Sequence, residues 1–232
     1  MQTEKRWDSD TPSWINTFAS GYKGLCLHLS DDLDGAEKYY KEAIDKLTLA
    51  GQLRGQSIFR RHYADLLRAR SRMNEDKNFH EAIHQLNSAE QISESIQAVD
   101  LQHYTLIARA RLQRDMDKRG EALSNLRKAE QYARTMGLQK MLAEVQKVRG
   151  EVLLAEGEAT QAGFVTAQSV AMSKRNGMRL RKIAATIVQA QILDMREQSE
   201  DARRLLQETL LEAQTYDYAI KTSAASKLLS KL

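Results

Sequence analysis

The chain has 232 residues, 42% of them apolar, and 35 basic against 31 acidic side chains leave a net charge of +4. This supports a packed core rather than a disordered tail, and a mild basic excess spread along the chain does not point to nucleic acid. One proline and 11 glycines favour an all-α chain, while a single cysteine excludes internal disulfides and Cys-based zinc clusters.

The N-terminal MQTEKRWDSD has no apolar segment of the secretory kind, and no uncharged apolar run approaches the ~20 residues that cross a bilayer. A soluble, cytoplasmic protein without membrane contact is expected. Trp7 and Trp14, on either side of Pro12, read as a cap on the first helix pair. Next comes LCLHL, residues 25 to 29, in which Cys26 reads as core packing. A thiol–imidazole pair of Cys26 with His28 is disfavoured, because residues two apart on a helix point in different directions.

From here the dominant feature is an internal repeat. Five segments share a pattern: DGAEKYYKEA (34 to 43), HEAIHQLNSA (80 to 89), GEALSNLRKA (120 to 129), TQAGFVTAQS (160 to 169) and EDARRLLQET (200 to 209). Their alanines, Ala36, Ala82, Ala122, Ala162 and Ala202, are 46, 40, 40 and 40 residues apart. Twelve residues upstream stand Gly24, Ala110, Gly150 and Ala190, with Ala69 as the counterpart in the second segment if its turn holds one extra residue. Paired small residues at this interval predict two antiparallel helices whose backbones cross closely.

Seven residues after each alanine come Ala43, Ala89, Ala129, Ser169 and Thr209, on the same helical face. Fifteen residues after it come Gly51, Gln97, Gly137, Gly177 and Asp217, where glycine suits a left-handed helix end. Short polar stretches rich in Asp, Asn, Ser and Gly separate the helices of each pair. The final YAIKTSAASKLLSKL continues the register, with Ser230 falling 40 residues after Ala190. It reads as a capping helix whose outer face is wetted by Lys221, Lys227 and Lys231, or as the edge of a longer protein. Its terminal SKL also matches a peroxisomal address, on weak grounds.

On these pairs the chain resembles the tetratricopeptide repeat family, in which a small residue in the first helix and an alanine early in the second lock each hairpin. The departures are a period of 40 instead of 34, no proline closing the second helix, and loss of the first-helix aromatic. The resemblance implies a single domain, 1 to 232: a right-handed superhelical solenoid of antiparallel helical hairpins. Its repeats would be approximately 14–52, 55–98, 99–138, 139–178 and 179–217, with 218–232 as the cap. It also implies a non-enzymatic role without cofactors, in which a peptide or protein segment is held in the concave groove. The alternative is a structural arm or self-association module of a larger signalling protein.

In such solenoids the first helices line the groove. Carried onto this sequence, that geometry places inward Phe18, Leu25 and His28; Tyr63, Leu66, Arg70 and Met73; Tyr104, Ile107, Arg111 and Arg114; Glu144, Lys147 and Glu151; and Ile187, Gln191 and Asp194. The partner-binding candidates are Phe18, Tyr63, Arg70, Tyr104, Ile107, Arg111, Arg114 and Lys147. Aromatics interleaved with arginines suit an acidic, partly apolar segment. A second column, Lys23, Arg68, Arg109 and Arg149, cannot share that face, so one of the two sets is structural.

HEAIH, residues 80 to 84, matches the HExxH zinc motif formally, but Asn87 and Glu90 stand where the extended motif needs glycine and histidine. Ala82 inside it is also a repeat alanine, which puts His80 at a helix mouth. No Gly-rich phosphate loop occurs.

Overall fold

Alanine, leucine and long polar side chains lose little freedom in a helix, and the computed structural model of the chain is built of helices with no strand among the described residues. It describes the backbone of residues 13–73 and 78–232, and side chains from Phe18 to Arg72 and from Asn78 onward. The Trp7, Pro12 and Trp14 cap and the Met73 side chain lie outside the described residues.

The chain divides into two units, residues 1–102 and 103–232. In the first, α1 (Ser13–Leu29) pairs with α2 (Leu33–Leu49), α3 (Leu53–Met73) pairs with α4 (His80–Ser95), and α2 abuts α3. The second holds most of α5 (Val99–Asp115), followed by α6 (Arg119–Thr135), α7 (Gln139–Ala155), α8 (Ala159–Arg175), α9 (Arg179–Met195), α10 (Ser199–Thr215) and α11 (Ala219–Leu229). There α7 pairs with α8 and α9 with α10, while α6 abuts α7, α8 abuts α9, and α10 abuts α11. Ile107 and Ala110 of α5 share a core with Ala122 and Leu126 of α6.

Each hairpin closes on its small residues. Ala36, Ala82, Ala122, Ala162 and Ala202 are all buried, as are Ala43, Ala89, Ala129, Ser169 and Thr209 two turns later. A Cβ on Gly24 would press on Tyr40 Cδ1 at 3.0 Å and on the Ala36 carbonyl at 3.2 Å. At Gly150 it would collide with Thr166 Oγ1. The second repeat departs from the expected counting: α3 runs 21 residues where most of the helices run 17. Its twelfth residue, matching Gly24, Ala110, Gly150 and Ala190 in their helices, is Ala64, 2% exposed, whereas Ala69 is only half-buried. The added residues of α3 lie at its C-terminal end, so Ala64, not Ala69, occupies the crossing position.

Hairpins are joined through residues in the left-handed region. Gly51, Gly137 and Gly177 take φ of 64°, 65° and 64°, and Gln97 and Asp217 take 53° and 49°. The next residue then reaches back past the helix end, as Leu138 N–H does to the Ala133 carbonyl at 2.8 Å.

The first unit's core gathers Tyr40, Leu47, Phe59 and Leu66, with Phe18 and Leu25 partly buried against it. Cys26, two residues past the Gly24 crossing, is exposed. The expectation that it packs in the core is corrected by that turn of roughly 200° about the helix.

Adding one methyl group at two glycines tests the crossing. Gly150→Ala is expected to lower stability by about 1–3 kcal/mol through overpacking against Thr166. Gly120→Ala, with nothing within 4 Å of the added Cβ, is expected to raise it by about 0.5 kcal/mol. Urea unfolding followed by circular dichroism measures both, and equal stabilities would refute close approach at Gly150.

Candidate functional site

In the first unit Phe18 lies edge-on to Phe59, ring centroids 6.0 Å apart. Tyr63 is 4% exposed, and its hydroxyl donates to Glu37 Oε1 at 2.8 Å. Burial, aided by the Glu37 carboxylate, pushes its phenol up to about 12. Arg70, within the added turn of α3, reaches Glu37 through Nη1 and Asp34 through Nη2. These three residues are thus engaged by core or by the chain's own carboxylates. Arg70 is also not the register counterpart of Arg111, since Asp65 follows Ala64 as Arg111 follows Ala110.

In the second unit the alternate helices α5, α7, α9 and α11 bring charged side chains into one cluster. Ile107 is buried and Tyr104 partly buried in the core beneath it. Glu144 of α7 is the hub: Oε1 accepts from Arg111 Nη2 and from Lys147 Nζ, the latter at 2.7 Å, while Oε2 accepts from Arg181 Nη1 of α9. One turn pair further along α7, Glu151 Oε2 accepts from Arg114 Nη1. Arg114 Nε also donates to Asp115 Oδ1 at 2.8 Å, and Lys147 Nζ stands 3.9 Å from Glu151 Oε1. Both Glu144 and Lys147 are only 9% exposed.

Burial alone would push both glutamates toward the neutral form. At Glu144 it is outweighed by Lys147, Arg111 and Arg181, which hold the carboxyl well below its ordinary value of 4.5. At Glu151 Arg114, Lys147, Arg111 and Lys221 outweigh burial and hold it at about 2. Lys221 shows the opposite balance: burial and Lys147 lower its ammonium to about 8, Arg111 adding to the fall and Glu151 and Glu144 opposing it. Tyr218, the residue that precedes α11, is raised to about 12 by burial and the Glu144 charge, with Arg181 and Arg111 opposing.

Arg111, Arg114 and Lys147 are therefore brought together, but each grips a carboxylate of this chain. Arg181 and Lys221 complete the cluster and were not among the sequence candidates. Lys221, expected on the outer wet face of the last helix, is instead half-buried and within electrostatic reach of Glu144 and Glu151. The period itself carried the missed signal, since Lys221 follows Arg181 by 40 residues.

The second basic column is tied down as well. Lys23 Nζ sits 4.3 Å over the Tyr39 ring, Arg68 Nε lies 3.4 Å from Asp65 Oδ1, and Arg149 Nη2 is 2.6 Å from Glu130 Oε2. His80 opens α4, and both His80 and His84 are exposed. Among the described residues no group of three or more His, Cys, Asp or Glu side chains is placed to hold a metal ion. No helix of the described residues is long and apolar enough to cross a membrane.

No family model matches the chain, and no curated protein sequence is similar to it. Among the solved structures that are similar to it are two complexes. One is NprR in complex with its cognate peptide NprX, at 17% identity and a TM-score of 0.74 over 95% of this chain and 62% of NprR. The other is a Rap protein complexed with competence and sporulation factor, at 13% identity and a TM-score of 0.67 over 98% of this chain and 77% of that one. The fold is a tetratricopeptide-like helical repeat. At these identities the likeness concerns fold alone, and this chain spans less than two thirds of the NprR chain.

The charge cluster makes stability depend on acid. Both glutamates ionise more readily folded than at their ordinary 4.5, so their contribution is complete above that value and is lost as pH falls below it, for Glu151 as pH falls through about 2. Glu144→Gln is expected to cost about 3 kcal/mol at neutral pH and to flatten the acid limb of the urea-midpoint profile. Parallel profiles for the variant and the unaltered chain would sink this assignment.

Proposed function

We propose that the chain is a peptide-binding regulatory module that holds an extended, acidic and partly apolar segment on the inner face of its second unit. One observation carries the reading: alternate helices α5, α7, α9 and α11 turn charged side chains into a single cluster. A row of first helices whose side chains meet is the inner face of a helical repeat, where a segment touches several repeats at once. The two similar structures support it, since NprR was solved with the peptide NprX and the Rap protein with competence and sporulation factor. The reading assigns no reaction and no cofactor, and it sets a cytoplasmic adaptor or sensor above a structural arm.

Residues flanking the cluster supply the rest of such a face. Tyr104 offers a partly buried aromatic surface, and Lys147 and Arg114 fix the carboxylates that hold the arginines in place. Charge reversal at Arg111 or Arg114 would therefore set a new carboxylate against Glu144 or Glu151, and would report on folding before it reported on binding.

Fluorescence anisotropy with labelled heptapeptide pools tests the proposal, one pool rich in Asp, Glu and Leu and another with Asn and Gln in their places. The acidic pool is expected to bind, and to lose at least about tenfold in affinity between about 50 and about 500 mM salt. Binding by neither pool, together with dimers in light scattering, would replace this reading with self-association.

A further inference from the structure

The cluster on α5, α7, α9 and α11 is unbalanced. Five cationic side chains, Arg111, Arg114, Lys147, Arg181 and Lys221, meet three carboxylates, Asp115, Glu144 and Glu151. All three carboxylates are already engaged by the first four cations. The fifth, the Lys221 ammonium, makes no hydrogen bond or ion pair within 4.0 Å among the described residues, although the residue is half-buried and feels the charges of the cluster. A desolvated ammonium without a counter-ion is unfavourable in isolation.

Two further donors stand with it. Tyr218 is the residue that precedes α11, three before Lys221 in sequence, and its hydroxyl makes no hydrogen bond among the described residues. Arg181, 40 residues before Lys221 in the repeat register, spends one N–H on Glu144 Oε2, and a guanidinium has five. Tyr218 packs against the core that Ile183 and Ile187 of α9 build, and α11 abuts α9, the helix that carries Arg181; the charges of Arg111 and Glu144 act on both Tyr218 and Lys221. Arg181, already ordered by Glu144, loses little freedom on meeting a further acceptor.

We infer that Lys221, Arg181 and Tyr218 form a subsite for a carboxylate of an extended peptide, with Glu144 and Glu151 serving to position the cations around it. The inference rests on the peptide-binding reading above and adds the chemistry of its anchor. A carboxylate matches the inventory: it accepts from an ammonium and a guanidinium at once and leaves a lone pair for a phenol. It would also supply a negative charge where cations exceed carboxylates.

The test uses the full chain and two probes, the pentapeptide Ala-Leu-Asp-Leu-Glu as its free acid and Ala-Leu-Asn-Leu-Gln as its C-terminal amide, with inorganic phosphate as a third arm. Calorimetry should show the acid binding and the amide failing to bind. Lys221→Met, checked for helicity, should weaken the acid peptide about ten- to a hundredfold. Because Lys221 sheds its proton at about 8 beside Lys147, Arg111, Glu151 and Glu144, affinity should fall as pH rises through that value. Lys221→Arg should keep binding and remove the step, which a merely structural lysine would not predict.

If the amide binds as tightly as the acid and Lys221→Met changes nothing, the subsite is wrong while the peptide reading survives. If neither peptide binds and phosphate alone moves the Lys221 Cε resonance, both the peptide reading and its carboxylate anchor fall, and the occupant is a phosphate group.

Discussion

Close passage of two helix backbones, once per hairpin, is the constraint on which the rest depends. Glycine or alanine at the twelfth position of a first helix faces alanine near the start of the second, and a larger side chain at either point would force the pair apart. Once the hairpins close, the next first helix lies within reach of an arginine side chain. That reach is what lets Arg111 of α5 and Arg181 of α9 meet the same glutamate on α7. The charged cluster is thus a consequence of packing between small residues that never touch it.

The cluster is an odd investment if stability is its only end. Buried ion pairs gain little over well-packed apolar side chains, because desolvation offsets most of the attraction. Around Glu144 the desolvation is met by three cations, and around Glu151 by charges from three helices. A site built this way is stiff and strongly charged, and its shape is set before any ligand arrives. Such stiffness is more useful for recognising a charged group than for holding helices that alanines already hold.

Much of the fold was legible because its causes are local in sequence. Alanines such as Ala122, Ala162 and Ala202, and left-handed residues such as Gly137 and Gly177, recur at one interval, and each acts through neighbours on its own hairpin. Counting failed only across α3, where reading back from Ala82 passed through added residues and landed on Ala69 instead of Ala64. The candidate site was less legible for a different reason. Helical periodicity indicates the face on which Arg70 or Arg111 lies but not which carboxylate stands 33 residues away to receive it. Lys221 was misplaced because a terminal lysine on a short helix looks like solvent-facing charge until the cluster beside it is known.

The left-handed connectors and crossing alanines obey the repeat, whereas Glu144 does not: Ala184 occupies its position one period later. Features that build hairpins are therefore interchangeable between copies, and the feature that gathers charge belongs to one copy alone. A lineage could add or delete a hairpin elsewhere without disturbing architecture, while the same event beside α7 would erase or transplant the charged centre in a single step. Architecture and recognition in this chain are thereby inherited on separate terms.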